Sequence, residues 1–317
     1  MPDVSVIIPT YNNAAFLSDA IDSILSQSYR DFEIIVVDDG STDSTGEILS
    51  RYAEKILAIR QENQGPAAAR NRGIALAHGK YLSFLDADDL YLPDKLKIQT
   101  EFLDAQAKID LVYSDGWRFR ATALSREAAL TLSKTGEVQA LCLEPQRYAD
   151  HLIPRNLFPI HASLVRRCCV MDVGGFDETL TACEDWDLWY RIAERHSLAF
   201  LDARLVKYRV TPGSNSTDLL RNLREARKVF LKIGLSERFQ TAPTPILQDY
   251  YYQLGLTELA LENAPAARSA FRKALTYVPR NQLTFLAYCL TTLFGKKAYS
   301  LYRVKRWLMG KRGVIQV

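Results

Sequence analysis

At 317 residues and 48% hydrophobic content, the chain can hold one large core plus a smaller module, and it is too apolar to be disordered. The net charge of +3 is unevenly spread: no Asp or Glu follows Glu262 while 11 basic residues do, leaving −8 on residues 1–262. An acidic body with a basic end suits contact with an anionic surface; no recognised nucleic-acid-binding fold accompanies the basic residues, so nucleic acid is not expected as a partner.

Five cysteines, Cys142, Cys168, Cys169, Cys183 and Cys289, are odd in number and lack CxxC spacing. Neither a zinc knuckle nor a disulfide framework is expected, and a reducing compartment fits best. Strand-like residues from Val4 leave no room for a cleavable signal, and Asn215-Ser216-Thr217 reads as loop.

Val4 to Ile8 is an apolar, β-branched run stopped by Pro9, after which Phe16, Leu17, Ala20, Ile21, Ile24 and Leu25 recur at helical spacing. Phe32 to Val37 predicts a second buried strand ending in Asp38-Asp39-Gly40-Ser41, with Ser44 or Thr45 capping a helix that carries Ile48, Leu49 and Tyr52. This βαβ unit predicts a parallel sheet with a right-handed crossover. A third strand over Ile56 to Ile59, a loop from Gln61 to Pro66 and a helix from Ala67 to Ala77 follow. Tyr81 to Leu85 predicts a strand covered on both faces. Beyond it come a helix over Leu92 to Ala107, a strand at Leu111 to Tyr113, and a poorly patterned, partly mobile loop between Arg118 and Arg147.

Polar groups stand at the end of each strand in this half: Thr10, Tyr11 and Asn12, then Asp38 and Asp39, then Asp86, Asp88 and Asp89. Open α/β sheets bind ligands at that edge. Carboxylates this close repel one another, so either a hard divalent cation such as Mn²⁺ or Mg²⁺ neutralises them or they form an Asx-rich turn and helix cap. No GxGxxG follows the first strand, which excludes a dinucleotide fingerprint and leaves metal to hold phosphates.

Taken together, Val6-Ile7-Ile8-Pro9-Thr10-Tyr11-Asn12, Val37-Asp38-Asp39-Gly40-Ser41-Thr42-Asp43, Asn63-Gln64-Gly65 with Ala69-Arg70-Asn71-Arg72-Gly73, Phe84-Leu85-Asp86-Ala87-Asp88-Asp89, Gly174-Gly175-Phe176-Asp177-Glu178 and Glu184-Asp185-Trp186-Asp187 resemble a family 2 glycosyltransferase of GT-A fold over residues 3–212. The resemblance implies an α/β fold, a doubly wound, mostly parallel sheet with helices on both faces, followed by a small all-α region. It implies an inverting hexosyltransferase that uses a nucleotide-sugar donor, UDP-linked for preference, a glycan or lipid-linked acceptor, and Mn²⁺ or Mg²⁺. Pro9, Tyr11, Asp39, Arg70 and Asp86 would bind the nucleotide sugar, Asp39 by accepting a hydrogen bond from the base. Asp88 would ligate the metal, and Asp185, beside Glu184, would be the catalytic base. Structural readings stand beside these: a helix cap for Asp39, a surface ion pair for Arg70, and a helix N-terminus for Glu184 and Asp185. One departure is Thr211, where the family often has a histidine after Tyr208-Arg209; metal affinity is then expected to be weaker. His161 is read as a hydrogen-bonded core residue. A sugar nucleotidyltransferase and an inactive scaffold of the same fold are the alternatives; the first usually has a Gly-rich loop and lysine where this chain has Pro9-Thr10-Tyr11-Asn12, and intact Asp39, Asp88 and Asp185 oppose the second.

The division expected is a transferase domain over residues 1–212 and a helical region over 213–317. Within the latter, Tyr251, Leu254, Gly255, Ala267, Phe271, Ala274 and Pro279 fall at the spacing of one tetratricopeptide repeat over 248–280. From 283 to 312, aromatic and aliphatic residues interleave with basic ones, which suits either an interfacial helix on anionic lipid or a docked terminal helix. The location expected is cytoplasmic, with peripheral contact on the membrane's cytoplasmic face open to it.

Overall fold

The computed structural model describes residues 1–119, 128–131, 145–210 and 218–299. The chain divides into two compact units, residues 1–146 with 158–214, and residues 147–157 with 215–317.

The first unit opens with β1 (Val4–Thr10), α1 (Ala14–Leu25), β2 (Phe32–Asp38), α2 (Thr45–Arg51), β3 (Leu57–Arg60), α3 (Pro66–Leu76) and β4 (Tyr81–Phe84). β1 pairs in parallel with both β2 and β4, and β2 with β3, so the carboxyl ends of all four strands share one edge. Every residue of β4 is buried, which is why its sequence reads as a continuous rather than an alternating apolar run. α1 buries Leu17, Ala20, Ile21 and Ile24, the stripe its spacing predicts. α3 has no such stripe; it approaches the sheet through small residues, and a Cβ on Gly73 would lie 2.5 Å from Ile7 Cγ2.

Next come β5 (Leu90–Tyr91), α4 (Lys95–Ala105), β6 (Leu111–Phe119), β7 (Ala128–Thr131), α5 (Pro145–Leu152), β8 (Ser163–Arg166), α6 (Arg167–Asp172), α7 (Glu184–Ala193) and β9 (Leu198–Arg209). The sheet order is β3-β2-β1-β4-β8-β6-β9-β5, with β7 on β6. β8 is antiparallel to both β4 and β6, while β9 is parallel to β6, so the sheet is parallel through β4 and mixed beyond it. β6 runs well past the predicted end at Tyr113, because β9 offers it a partner as far as Arg209.

The second unit is helical, with α5 joined by α8 (Leu219–Ile233), α9 (Glu237–Gln240), α10 (Thr244–Ala260), α11 (Ala264–Tyr277) and α12 (Gln282–Phe294). Asp218, Ser236, Asn263 and Asn281 cap α8, α9, α11 and α12 by accepting backbone N–H bonds. Arg238 donates to both oxygens of Asp150 at 2.9 and 2.6 Å, tying α9 to α5. The repeat-like stretch comprises α10 and α11, which touch where Gly255 faces Phe271; a Cβ there would sit 2.5 Å from the ring. Among the described residues no helix is long and apolar enough to cross a membrane. Most of the stretch from 118 to 147, residues 211–217 with Thr211 among them, and the basic tail from 300 onward lie outside the described residues.

Candidate active site

Three loops meet at the carboxyl edge of β1, β2 and β4. Tyr11, just past β1, leaves 48% of its surface exposed, which an aromatic side chain does at little profit unless something covers it. Asn12 holds the two neighbouring loops together: its N–H donates to Ser41 Oγ (3.0 Å) and its Oδ1 accepts from Thr42 N (2.7 Å), at a left-handed φ of 51°. Pro9, half-buried, lies in β1 opposite Val37.

Asp39 is 3% exposed and already well satisfied. Its Oδ1 accepts from Gln61 Nε2 (2.8 Å) and Gln64 N (2.9 Å), and its Oδ2 from Gly65 N (2.8 Å). The acid therefore holds the loop that leads into α3. A carboxylate has about four acceptor sites, so these bonds leave capacity for one more donor.

Arg70, on α3, is not on the surface. It is 4% exposed, with Nη1 donating to Glu184 Oε1 at 2.5 Å and Nη2 to Asp86 Oδ1 at 2.6 Å. Its guanidinium lies 5.5 Å from the Phe176 ring centroid. Burial works to lower its pKa, but the Asp86 and Glu184 charges outweigh it and the net shift is upward. The surface ion pair open for Arg70 is thus corrected to a buried clamp, made possible because the small residues of α3 let the helix sink against the sheet. Asn71 adds a second tie, accepting from Phe176 N (2.8 Å) and donating to Phe176 O (2.9 Å). Gly175, at φ +72°, cannot be replaced there, because a Cβ would stand 2.7 Å from Asn71 Oδ1.

α7 begins at Cys183, itself left-handed at φ 60°, and brings three acids into its first turn. Glu184 is taken by Arg70, and Asp187 by Arg191, whose guanidinium also donates to Val173 O (2.7 Å) and Gly175 O (2.8 Å). Asp185 is half-buried, at a helix N-terminus that favours negative charge.

The turn after β4 concentrates charge. Asp86 keeps 32% of its side chain exposed, Asp88 is half-buried and Asp89 is 1% exposed. Burial, with the Asp89 and Asp86 charges beside it, pushes the Asp88 carboxyl up to about 7. A set of hard oxygen donors under that strain fits a divalent cation of the Mg²⁺ or Mn²⁺ class. Arg209, at the end of β9, braces the turn: its N–H donates to Asp89 Oδ1 and its Nε to Asp88 O, each at 2.7 Å. Sequence reasoning uses Tyr208-Arg209 only as a marker for a neighbouring position; β9, which ends in Arg209, was not predicted, so no local signal pointed to this arginine as a brace. His161 is buried, as read, and its Nδ1 stands 2.9 Å from Asp89 Oδ2 in a buried ion pair; burial works to lower the imidazole's pKa, but the Asp89 charge outweighs it and the net shift is upward.

Residues 5–177 match the family described as Glycosyl transferase family 2. A glycosyltransferase of Rickettsia prowazekii is 34% identical over 232 residues, covering 71% of this chain and 69% of the relative. Staphylococcus aureus TarS 1–349, solved with UDP-GlcNAc, superposes with a TM-score of 0.67 at 18% identity, covering 98% of this chain and 93% of that one. The mannosyltransferase PcManGT of Pyrobaculum calidifontis, solved with GDP-Man and Mn²⁺, gives 0.58 at 21%, covering 98% and 88%. With its GT-A-like fold and its match over more than half its length, the chain belongs to glycosyl transferase family 2.

Proposed function

We propose that the protein is an inverting, metal-dependent glycosyltransferase that moves a hexose from a UDP-linked donor to a hydroxyl of a glycan or lipid-linked acceptor. The observation that carries this reading is the Arg70 clamp, which ties Asp86 of the donor-side turn to Glu184, next to Asp185, on the acceptor side. Binding and chemistry are thereby held in one rigid frame.

Tyr11 and Pro9 flank the base, and Asp39 accepts its N–H. Asp86 faces the ribose and diphosphate. Asp88, with Asp86, would hold a divalent cation, which would supply positive charge against the leaving diphosphate. Asp185 takes the proton of the acceptor hydroxyl as that oxygen bonds to the anomeric carbon, and the bond from that carbon to the diphosphate oxygen breaks on the opposite face. The product has inverted configuration, and a nucleoside diphosphate leaves. General-base assistance of this kind contributes about 10²–10⁴ in rate. Neighbours of like fold bind UDP-GlcNAc or GDP-Man, which supports a nucleotide-sugar donor and leaves its sugar to be measured.

On the acceptor side, we place the protein at a membrane surface. Phe285, Leu293 and Phe294 of α12 are 57%, 75% and 49% exposed, and no acid follows Glu262. Apolar anchors among basic charges suit an anionic interface.

The test is calorimetry of UDP with Mn²⁺, with Mg²⁺ and with EDTA, alongside hydrolysis of UDP-Glc, UDP-Gal, UDP-GlcNAc and GDP-Man. UDP should bind measurably only with metal, and Asp88→Asn should remove that difference and abolish turnover. Equal UDP affinity with metal and with EDTA sinks the metal role; turnover of none of the four donors sinks the hexose-transfer reading.

A further inference from the structure

A separate cluster of ligand-type side chains lies on the sheet edge opposite the candidate active site. Asp110 immediately precedes β6, Cys169 is in α6, and His196 stands in the turn between α7 and β9. One ligand atom of each lies within 4.8 Å of the others. β6 and β9 begin here and β8 ends here, beside the start of β4, whereas the donor-side acids follow the carboxyl end of β4. The three residues come from three elements, so no CxxC spacing marks them in the sequence.

The imidazole is oriented from behind. Its Nε2 donates to Asp172 Oδ2 at 3.2 Å, since a carboxylate only accepts, and that bond, with Arg195 beside it, holds the Asp172 carboxyl below the ordinary carboxylate range. Nδ1 is then the nitrogen nearest Asp110 Oδ2, at 3.6 Å, too long for a hydrogen bond. A histidine that spends one ring nitrogen on a carboxylate and offers the other to further donors has the setting of a metal ligand. Asp110 is also fixed: Oδ2 accepts from Ser197 N at 3.0 Å, and Oδ1 faces Arg166 Nε at 3.8 Å. A carboxylate has about four acceptor sites, so Oδ2 keeps a lone pair for a cation.

Cys169 separates the cluster from a plain ion pair. It is 1% exposed, and burial, with the Asp110 charge beside it, pushes the thiol up, so it stays protonated without a cation. A histidine held between Asp110 and Asp172 would need no sulfur. A cation bound there takes the thiolate, and the thiol proton goes to solvent. Ligands at about 2.1 Å in a tetrahedral site stand about 3.4 Å apart, near the 3.6 Å between Nδ1 and Oδ2. One thiolate and one carboxylate neutralise a divalent ion.

We propose that Cys169, His196 and Asp110 bind a zinc ion, with water in the fourth position, and that the ion fastens the carboxyl end of α7 to α6 and to the start of β6. Thiolate and imidazole select Zn²⁺ over Mg²⁺ and Mn²⁺, which suit oxygen ligands. α7 carries Glu184 and Asp185 in its first turn, so the ion steadies the helix that presents them. The site is distinct from the donor-side acids and does not depend on the transfer reaction.

The experiment is titration of the tag-free full chain, freed of metal and then of chelator, with Co²⁺ and Zn²⁺. It is read by near-ultraviolet absorption, where cobalt–thiolate charge transfer falls, and by thermal denaturation. The wild type and Asp88→Asn should both give the thiolate band, Zn²⁺ should bleach it, and Zn²⁺ should raise Tm. Cys169→Ser should lose the band, whereas Cys168→Ser, at the exposed neighbour, should keep it. His196→Gln and Asp110→Asn, at side chains 20% and 25% exposed, keep the assay decisive if Cys169→Ser does not fold. In the Asp88→Asn background each should bind Zn²⁺ at least about tenfold more weakly, and Asp172→Asn about tenfold. No thiolate band in the wild type, a band lost in Cys168→Ser but kept in Cys169→Ser, a Tm that Zn²⁺ does not raise, or unchanged Zn²⁺ affinity in both His196→Gln and Asp110→Asn overturns the inference. His196 is then an ion-pair partner of Asp110 and Asp172, and the donor-side metal reading is untouched.

Discussion

Arg70→Met removes the clamp while keeping most of the side chain's apolar length. Removing one partner of a buried ion pair costs about 3–5 kcal/mol, because the remaining charge stays in the interior. Here the two acids differ: Asp86 is 32% exposed and regains hydration, whereas Glu184, at 10%, does not. The loss should therefore fall near the lower limit, about 3 kcal/mol. For a unit of about 200 residues that is roughly 6–12 °C in Tm, at 2–4 °C per kcal/mol. Arg70→Lys should lie between, since an ammonium lacks the fork that spans two carboxylates. Turnover should fall by about 10²-fold or more in the Met variant, as expected when reacting groups are misplaced by about 1 Å. Thermal denaturation, UDP calorimetry and steady-state kinetics on the three proteins check this. An Arg70→Met variant with unchanged Tm but abolished UDP binding would refute the clamp and make Arg70 a direct contact of the donor.

Asp185→Asn should keep UDP affinity while lowering kcat by about 10² or more; an unchanged kcat removes Asp185 from the mechanism. Lys95, fully buried, has its pKa held well below the ordinary lysine value by that burial, so between its folded pKa and about 10.4 the unfolded state binds the extra proton. Its contribution to stability should thus rise with pH, and Lys95→Met should flatten urea-derived stability against pH over about 7.5–9.5 by up to about 1.4 kcal/mol per unit. Equal slopes would mean that its acceptors Ser83 Oγ, Gln99 Oε1 and Ser163 O, at 2.8–3.0 Å, keep it charged. The full chain should co-sediment with anionic vesicles at low salt and release at high salt, unlike a chain ending at Arg280; equal binding by both makes the segment beyond Arg280 structural.

What was legible in the sequence follows the range of the forces involved. β1, β2 and β4 are buried on both faces, and α1 on one, so each writes its state into its own residues. β8 and β9 were not predicted: β8 has four residues, and β9 alternates buried and half-exposed positions irregularly, so both depend on partners far away in the chain. That dependence also explains the mixed half of the sheet, because β8 enters antiparallel between β4 and β6. The motifs showed which residues cluster but not how they pair. Arg70 and Glu184 are 114 positions apart. Nothing local distinguishes an arginine that reaches a diphosphate from one that two acids have already claimed.

The same limit applies to His161 and Asp89. A lone histidine in an apolar segment reads as a core residue, and Asp89 reads with Asp86 and Asp88 as acids that either face a cation or form a turn. Only the fold brings them within 2.9 Å, with Arg209 occupying the other face of Asp89. Arg209 also donates to the backbone of Asp88, so β9 and the turn after β4 form one unit. A change at either end of that contact should therefore move Asp88 and Asp89 together.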